Sequence, residues 1–333
     1  MSRPLSLLRA MPPPTASAGL VPVMLTPFRP DGTIDYDGLD SLIDFYLEAG
    51  ATGLFATCLS SEMYELSPDE RLSLTRHVVR RAGNHVPVVA TGTFGGSVRE
   101  QAAFIRRMAD TGIAAAVVIS SQLTGQDDHP DVLRDNLQAL AEATGTIPLG
   151  TYECPVPYKV LLPPDLLKDL ARTERFSYHK DTSCDMRDIG TKLNAVRGTG
   201  IRLFNANTPT ALDSLRAGAA GLSPISANFY PELYSYLCRT YTDPGKQDEV
   251  VYLQRMLTIM DGVTRLCYPF SAKLFLQNRG LPIETTCRIA APPLPYEIGQ
   301  MLRSLEETFR SICTELGVTV VAPKTVNPLT TYA

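Results

Sequence analysis

The feature that most limits the fold of this 333-residue chain is a recurrence of short apolar runs with helical patterns between them. Each run is rich in Val and Ile or bounded by Gly and Pro. In the stretches between the runs, the apolar residues recur at the spacing that places them on one face of a helix. This alternation predicts βα units and a parallel sheet. The eight predicted strands cover residues 20–25, 53–57, 86–91, 115–119, 147–151, 176–180, 201–205 and 219–223.

Eight βα units are the number that closes a barrel. Such a barrel takes roughly 200–250 residues, which leaves the last part of the chain for additional helices. The predicted fold class is therefore α/β, a (β/α)8 TIM barrel with a C-terminal helical extension. The predicted organisation is a disordered N-terminal extension at 1–19, the barrel at 20–228, helices completing the single domain at 229–318, and a tail at 319–333.

Two of the predicted helices carry clear start signals. Ser67 is followed by Pro68 and, three residues after itself, by Glu70, which is the spacing of a capping box with proline at the first helical position. Ser97 and Glu100 repeat that spacing. The sequence therefore predicts helices that begin just after Ser67 and Ser97.

Composition narrows the class of partner. Apolar residues make up 44% of the chain, and the formal net charge is −4 without a long basic block. This charge pattern argues against nucleic-acid and membrane-surface binding and favours a small-molecule substrate. There is also no run of about 18 apolar residues that would span a bilayer.

The cysteines and the N-terminal segment indicate the cellular compartment in which the protein is expected. Seven cysteines lie far apart, without C-x-x-C pairs, which indicates reduced thiols in a cytoplasmic protein. Residues 1–19 contain two arginines and no acidic residue, so an organelle transit peptide is the alternative to a disordered extension.

Two side chains with carbonyl chemistry follow neighbouring predicted strands. In a barrel of this class the active site lies at the carboxyl ends of the strands. Lys180 closes strand six, where burial favours the neutral amine that attacks a carbonyl. Tyr152 follows strand five at the same edge, where its hydroxyl can relay protons. A lysine paired with Asp181 and a tyrosine that serves only packing are the alternatives.

A turn of small residues follows strand two. Ser60 and Ser61 offer hydroxyls and backbone N–H groups in the manner of an anion nest, which indicates a site for a carboxylate; ordinary loop chemistry is the alternative.

The four histidines lack the spacing and carboxylate neighbours of a metal site, so no metal is expected. His179 is expected to point away from Lys180, because side chains alternate along a strand.

The order of these residues resembles the dihydrodipicolinate synthase / N-acetylneuraminate lyase group of pyruvate-type class I aldolases, from about residue 20 to residue 316. The resemblance implies a Schiff base at Lys180, a proton relay through Tyr152, and a substrate carboxylate held near Ser60. It also implies an enzyme without a cofactor and a homo-oligomer, either a dimer or a tetramer. The motifs that carry it are Thr26-Pro27-Phe28, Glu62, Leu66-Ser67-x-x-Glu70, Tyr152-x-x-Pro155, Lys180-Asp181-Thr182-Ser183, and Gly221 with Ala227-Asn228.

Several positions depart from the family pattern. Leu59 stands where a carboxylate-binding hydroxyl is usual, Gln122 belongs to the segment where the synthase branch has a tyrosine pair, and Pro157 replaces an arginine of that branch. Asn205 and Asn207 replace a Gly-x-Asp segment and offer amides that bind a hydroxyl or a carbonyl without adding charge. These changes argue against lysine biosynthesis and for a different 2-oxo acid.

The sequence therefore predicts a Schiff-base-forming lyase or aldolase that cleaves or condenses a 2-oxo acid and is not an authentic dihydrodipicolinate synthase. The alternatives are a dehydratase of 2-keto-3-deoxy sugar acids that uses the same lysine, and a catalytically silent barrel that binds a metabolite. The predicted catalytic residues are Lys180 and Tyr152. The predicted substrate-binding residues are Ser60, Ser61, Leu59, Thr182, Asn205, Asn207, Ser223 and Gln122.

Overall fold

The computed structural model describes residues 18–290 and 294–322, in which strands and helices alternate along the chain. All eight strands belong to one parallel sheet. The strands are β1 Gly19–Leu20, β2 Leu54–Phe55, β3 Val88–Thr91, β4 Ala115–Ile119, β5 Leu149–Tyr152, β6 Phe176–Asp181, β7 Arg202–Asn205 and β8 Gly221–Leu222.

The sheet curls until its two ends meet. Strands β2 to β8 pair in sequence order, and β8 pairs with β1. Beyond β1 the chain runs beside β2, where Val23 forms a parallel bridge with Phe55 and the Met24 amide donates to the Phe55 carbonyl at 3.0 Å. The predicted (β/α)8 barrel is therefore confirmed.

Helices follow the strands and cover the outside of the barrel. After β8 the chain adds further helices, of which the last extends for 21 residues. The helices are α1 Tyr36–Glu48, α2 Pro68–Ala82, α3 Val98–Ala109, α4 Pro130–Ala143, α5 Pro164–Arg172, α6 Met186–Val196, α7 Ala211–Arg216, α8 Pro231–Thr240, α9 Gln247–Thr264, α10 Phe270–Asn278 and α11 Tyr296–Leu316.

The two predicted capping boxes are present. Ser67 Oγ accepts the Glu70 amide at 3.2 Å, and Glu70 Oε2 accepts the Ser67 amide at 2.8 Å. Ser97 and Glu100 form the same reciprocal pair before α3. Each pair satisfies two backbone donors that a helix start leaves without partners, which explains why α2 and α3 begin where the sequence indicated.

The strand predictions were correct in number and differ in their bounds. The first run was predicted at 20–25, but β1 ends at Leu20, because Pro22 has no N–H to donate to a ladder. Similarly β5 begins after Pro148 and continues to Tyr152, one residue beyond the predicted end. Of the predicted terminal segments, residues 1–17 and 323–333 lie outside the described residues.

Side chains on the two faces of the sheet form separate apolar layers. The inner layer contains Phe55, Val117 and Tyr178, and the Tyr178 ring stacks on Phe204 with ring centres 5.0 Å apart. A larger layer joins the outer face to the helices. Since side chains alternate along a strand, Lys180 shares the inner face with Tyr178 and lies nearer the carboxyl end of the barrel.

The helices after β8 pack against the barrel and against one another. Arg279, which follows α10, donates to the Phe229 carbonyl at 2.7 Å and forms a buried ion pair with Glu232 of α8.

The seven cysteines, all within the described part of the chain, are thiols. None of the helices in the described ranges combines the length and the apolar character needed to cross a membrane.

Candidate active site

Lys180 and Tyr152 lie side by side at the carboxyl ends of two neighbouring strands. The Cα of Tyr152 on β5 pairs in register with the Cα of Lys180 on β6. The Lys180 amino nitrogen lies 4.4 Å from the centre of the Tyr152 ring and 5.8 Å from the centre of the Phe55 ring. The parallel register therefore brings together the two side chains expected at this rim.

The amino group of Lys180 is buried, and within the described part of the chain no carboxylate lies beside it. Lys180 is 3% exposed, and no carboxylate of residues 18–290 or 294–322 lies within 4.0 Å of its nitrogen. Asp181, the partner considered as an alternative, binds Lys192 instead at 2.7 Å. Burial lowers the pKa of Lys180 to about 8, because the ammonium form loses hydration. The geometry therefore provides the neutral amine that nucleophilic attack on a carbonyl requires.

The Tyr152 phenol keeps its proton in this setting. Its ring packs edge-on against Phe55, with ring centres 5.7 Å apart. Burial, together with the neighbouring Cys154 and Cys58 thiols, raises the pKa of Tyr152 well above that of an ordinary tyrosine. A protonated hydroxyl next to the amine is suited to donate a hydrogen bond or a proton to an oxygen atom bound there.

A cavity of about 840 Å³ opens above this pair. Its walls come from the loops that follow the strands and from the C-terminal helices. Lys180 and Tyr152 both line it. The other predicted site residues that line the cavity are Leu59, Ser60, Gln122, Thr182 and Asn207.

Three predicted substrate-binding residues lie outside the cavity lining. Ser61 accepts the Cys58 amide at 2.9 Å and donates back to the Cys58 carbonyl at 2.7 Å. Ser223 donates to a backbone carbonyl of the β1 segment at 2.7 Å. Asn205 donates to the Ser214 hydroxyl at 3.0 Å. Their polar groups hold turns and strand ends together, because each has a partner within the barrel itself.

A buried charged network, which the sequence does not predict, lies directly behind the candidate catalytic pair. Glu153 and Asp181 are the residues after Tyr152 and Lys180, and alternation places both on the outer face of the sheet. The Lys192 ammonium of α6 lies 2.6 Å from Glu153 Oε1 and 2.7 Å from Asp181 Oδ2. The two strands that carry the site are therefore joined from behind by one lysine.

Glu153 also positions part of the cavity wall. Its Oε1 accepts the Leu162 amide at 2.8 Å, and its Oε2 accepts the Thr182 amide at 3.0 Å. Thr182 returns a hydrogen bond from its hydroxyl to the Glu153 carbonyl. One carboxylate thus ties the loop after β5 to the end of β6, and Thr182 itself lines the cavity.

The pKa values of the ionisable groups in this network are shifted from their ordinary values. Burial, reinforced by repulsion from Asp181, raises the pKa of Glu153 to about 7. Burial also lowers the pKa of His179 to about 3, so this imidazole is neutral. Its Nδ1 lies 2.8 Å from the Thr151 hydroxyl. The ring lies on the side of β6 opposite Lys180, as expected. Although burial lowers the pKa of Lys192, the carboxylates of Glu153, Asp181 and Asp188 together raise it above the ordinary value.

The same network accounts for a cluster with the residue types of a metal site. In the described part of the chain, Glu153, His179 and Asp181 form the one group of three such side chains close enough to share an ion. The Lys192 ammonium already lies against both carboxylates. The residues fit a lysine-centred ion cluster better than a metal centre, because the positive charge is supplied by the chain.

A sequence signal for Lys192 was available. In α6 it falls between Ile189 and Leu193 on the buried stripe that continues to Val196. A lysine at a position that the helical pattern assigns to the core needs a buried partner. The identity of that partner could not be read from the pattern, because it lies on another element.

A second buried ion pair fixes the turn after β2. Glu62, in a left-handed conformation at φ 56°, binds the Lys273 ammonium of α10 at 2.7 Å. Its second oxygen accepts the amides of Arg288 and Ile289 at 2.6 and 3.0 Å. The turn that carries Ser60 is therefore held by residues that follow the barrel in sequence.

Comparison with protein-family models gives one match over most of the chain. The model described as "Dihydrodipicolinate synthetase family" matches residues 16–308. Among curated proteins, a 4-hydroxy-tetrahydrodipicolinate synthase of Marinobacter nauticus is 26% identical over 266 residues, which is 80% of this chain and 86% of that protein. A second synthase, from Methanothrix thermoacetophila, is 25% identical and covers 90% of this chain and 97% of its own.

Solved structures show the same fold. A chloride-inhibited dihydrodipicolinate synthase of Acinetobacter baumannii, complexed with pyruvate, has a TM-score of 0.79 and 23% identity, with 89% of this chain and 99% of that chain covered. A prophage protein of the dihydrodipicolinic acid synthase family from E. coli K12, also in complex with pyruvate, has a TM-score of 0.77 and 23% identity, covering 88% and 98%.

Proposed function

We propose, from the premise that this chain belongs to the dihydrodipicolinate synthetase family, that Lys180 forms a Schiff base with a 2-oxo acid and that a carbon–carbon bond is then cleaved or formed. The observation that carries the proposal is the buried amino group of Lys180, which has no carboxylate partner among the described residues and lies 4.4 Å from the Tyr152 ring centre in the lining of a cavity. Enzymes of this family are carbon–carbon lyases.

The proposed cycle uses the two residues in defined roles. The neutral Lys180 amine adds to the keto carbon, and the Tyr152 hydroxyl supplies the proton with which the carbinolamine oxygen leaves as water. The hydroxyl on the carbon that becomes the aldehyde then gives up its proton to a base, and the iminium ion accepts the electron pair of the carbon–carbon bond that breaks, giving an enamine and an aldehyde. Protonation of the enamine carbon and addition of water then release the short 2-oxo acid and the free amine.

We infer that the activity differs from that of the synthases named among the relatives. Pro157 lines the cavity and adds no cation to it. The Gln122 amide donates to the Tyr64 hydroxyl at 3.2 Å in place of a tyrosine pair. Pyruvate and aspartate semialdehyde should therefore not condense at a useful rate in a coupled assay; a robust rate would contradict the inference.

Two finer parts of the proposal need their own measurements. Cleavage rather than dehydration predicts that pyruvate or another short 2-oxo acid accumulates, whereas a dehydratase releases water and retains the carbon skeleton. The family resemblance further leads us to propose a homo-oligomer, a dimer or a tetramer. Light scattering of the purified protein measures the oligomeric state directly.

Borohydride trapping tests the central step. Incubation with pyruvate and borohydride should add a reduced adduct to the wild type, which peptide mass spectrometry should map to Lys180. Lys180→Arg keeps the charge but cannot form an imine, so both the adduct and turnover should disappear. Lys168→Arg is the matched control, because Lys168 is an exposed lysine on α5. An adduct on another lysine, or activity in Lys180→Arg, would refute the mechanism.

A further inference from the structure

We propose that Glu153 is a positioning residue for the chemistry at Lys180: from behind the sheet, its carboxylate fixes the backbone on which attack by the Lys180 amine depends. This inference rests on the proposed function and adds to it a residue that lies outside the cavity lining. It is drawn from the hydrogen bonds that Glu153 makes past the ends of β5 and β6, and from its burial.

Glu153 continues the pairing of β5 and β6 past the end of the ladder. The last register partners of the two strands are Tyr152 and Lys180. The Glu153 amide donates to the Lys180 carbonyl at 3.3 Å. The Thr182 amide donates to Glu153 Oε2 at 3.0 Å, so a carboxylate stands where a backbone carbonyl would otherwise accept. The two peptide groups that follow Lys180 therefore both have Glu153 as a partner.

The same carboxylate closes the loop after β5. The Leu162 amide donates to Glu153 Oε1 at 2.8 Å, so the loop returns to the side chain of the residue at which it begins. Lys159 of this loop lines the cavity and donates to the Thr182 carbonyl at 2.7 Å. Glu153 thus holds both the loop that carries Lys159 and the residue whose carbonyl receives its ammonium.

The middle of the loop has other supports. Ser120 Oγ donates to the Val160 carbonyl at 2.6 Å, and the Tyr64 hydroxyl donates to the Val156 carbonyl at 3.1 Å. Loss of the Glu153 carboxylate should therefore loosen the two ends that it binds and leave the rest of the loop in place. This arrangement makes a role in positioning separable from a role in folding.

The position requires an acceptor at both terminal atoms of the side chain. Glu153 is fully buried, and its Oε1 faces the Leu162 amide and the Lys192 ammonium while its Oε2 faces the Thr182 amide. Glutamine has the same size but offers one oxygen and one NH2 group. In Glu153→Gln a donor would therefore face a donor, and a buried donor without an acceptor is unfavourable. One of the two backbone amides should lose its partner.

Attack on a carbonyl is sensitive to small displacements. The amine must approach the keto carbon in a narrow range of distance and angle, and a misplacement of about 1 Å can slow a reaction by about 10²-fold. Lys180 and Thr182 are two positions apart and both line the cavity. A shift of the Thr182 peptide would therefore change the position of the amine relative to a bound 2-oxo acid.

A loss of charge alone predicts the opposite result. Removing a negative charge near Lys180 favours its neutral amine, which would leave the rate of attack unchanged or raise it. Asp188 of α6 provides the matched control, because its Oδ2 lies 2.6 Å from the same Lys192 ammonium. The Leu162 and Thr182 amides are held by Glu153 and not by Asp188. Asp188→Asn therefore removes the same charge and keeps both bonds.

Adduct formation with pyruvate and borohydride at pH 8 measures the effect in wild type, Glu153→Gln and Asp188→Asn. A series of pyruvate concentrations gives the maximum rate and the concentration for half of that rate. We expect Glu153→Gln to lower the maximum rate by about tenfold or more, with the half-saturating concentration changed by less than about threefold. Asp188→Asn should stay within about twofold of wild type in both. Equal rates in all three proteins, or equal slowing of the two variants, would overturn the proposal.

Hydrogen exchange on the wild type provides a second test that needs no variant. If the bonds to Glu153 favour adduct formation, the adduct must in turn stabilise those bonds. The Leu162 and Thr182 amides should therefore exchange more slowly after reduction of the pyruvate adduct, as read by mass spectrometry at single-residue resolution. The Ala114 amide, which donates to the Val88 carbonyl at 2.7 Å, is the control and should not change. Unchanged exchange at both Leu162 and Thr182 would overturn the proposal even if Glu153→Gln failed to fold.

The two proposals fail in different ways. No adduct at Lys180 of the wild type with any 2-oxo acid would refute the Schiff base, and the positioning role would be refuted with it. An adduct that forms at Lys180 as fast in Glu153→Gln as in the wild type would retain the Schiff base and reject only the role of Glu153.

Discussion

Tyr152 and Lys180 are register partners on adjacent strands, so one backbone ladder sets the 4.4 Å between the lysine nitrogen and the centre of the tyrosine ring. Tyr152 is the last residue of β5 and Lys180 is the last but one of β6, so the backbone of both belongs to the sheet. A change to one side chain should therefore leave the other in position. This independence allows the role of each group to be measured separately.

Adduct formation at Lys180 should depend on pH with a midpoint near 8. Burial lowers the pKa of Lys180 from its ordinary 10.5 to about 8, and only the neutral amine attacks a carbonyl. The rate of borohydride-trapped adduct formation with pyruvate should rise as the pH increases from 6 to 9 and then level off. Quench-flow sampling followed by mass spectrometry measures this rate. A rate still climbing steeply through pH 10 would indicate an ordinary, hydrated lysine.

Tyr152→Phe should lower kcat by about 10²–10⁴-fold, which is the range for a positioned acid or base. The fold should be retained, because the variant keeps the ring that packs against Phe55. Steady-state assays and circular dichroism measure the two effects. Tyr178→Phe removes a hydroxyl from the barrel interior outside the cavity lining and is the control. Near-native turnover in Tyr152→Phe would reduce Tyr152 to a packing residue.

Lys192→Met should lower the free energy of unfolding by about 3–5 kcal/mol, the usual effect of leaving a buried charge without its partner. The reason is that Glu153 and Asp181 lose the ammonium that lies 2.6 and 2.7 Å from them. Urea unfolding measures the loss. Lys168→Met, at an exposed position on α5, should change stability by less than about 0.5 kcal/mol. Similar stabilities of the two variants would show that the network is not structural.

Glu153→Gln should gain stability relative to the wild type as the pH rises from about 5 to about 7. In the unfolded chain this carboxyl ionises near 4.5, but burial and repulsion from Asp181 raise the pKa of Glu153 to about 7 in the folded protein. Between these values the folded wild type binds more protons than the unfolded chain, so its stability falls with pH. Glutamine at this position does not titrate.

Urea midpoints at pH 5, 6, 7 and 8 test that prediction. The difference between Glu153→Gln and wild type should move in favour of the variant as the pH rises through about 7, and should level off toward pH 8. A difference that is flat over this range, or that moves toward the wild type, would show that Glu153 is ionised throughout. The sign of the slope is therefore the deciding result.

The barrel and the positions of the two catalytic candidates could be predicted from local pattern, whereas the catalytic roles of Lys180 and Tyr152 are implied by the family resemblance. Apolar runs of strand length identify the eight strands, and parallel strands end at one edge, which places Lys180 and Tyr152 together. The strand bounds were less accurate where proline interrupts the ladder, as at Pro22 and Pro148.

The remainder of the site depended on contacts between residues far apart in sequence. Glu62 and Lys273 are 211 positions apart, and no spacing rule relates them. Ser61 and Ser223 are predicted to bind substrate, and in the structure their hydroxyls donate to backbone carbonyls; residue type alone does not predict which partner a hydroxyl takes. The direction in which a short polar side chain points is set by the turn geometry, which residue type alone does not specify.

The ion pair between Glu62 and Lys273 also limits how this protein can diverge. In a chimera that joined this barrel to C-terminal helices without a lysine at the place of Lys273, the Glu62 carboxylate would lose its ammonium and keep only the two backbone amides bound to its second oxygen. The turn bearing Ser60 would then lose its anchor. We expect chimeras across this junction to keep the turn in place only when the segment after the barrel supplies the lysine that pairs with Glu62.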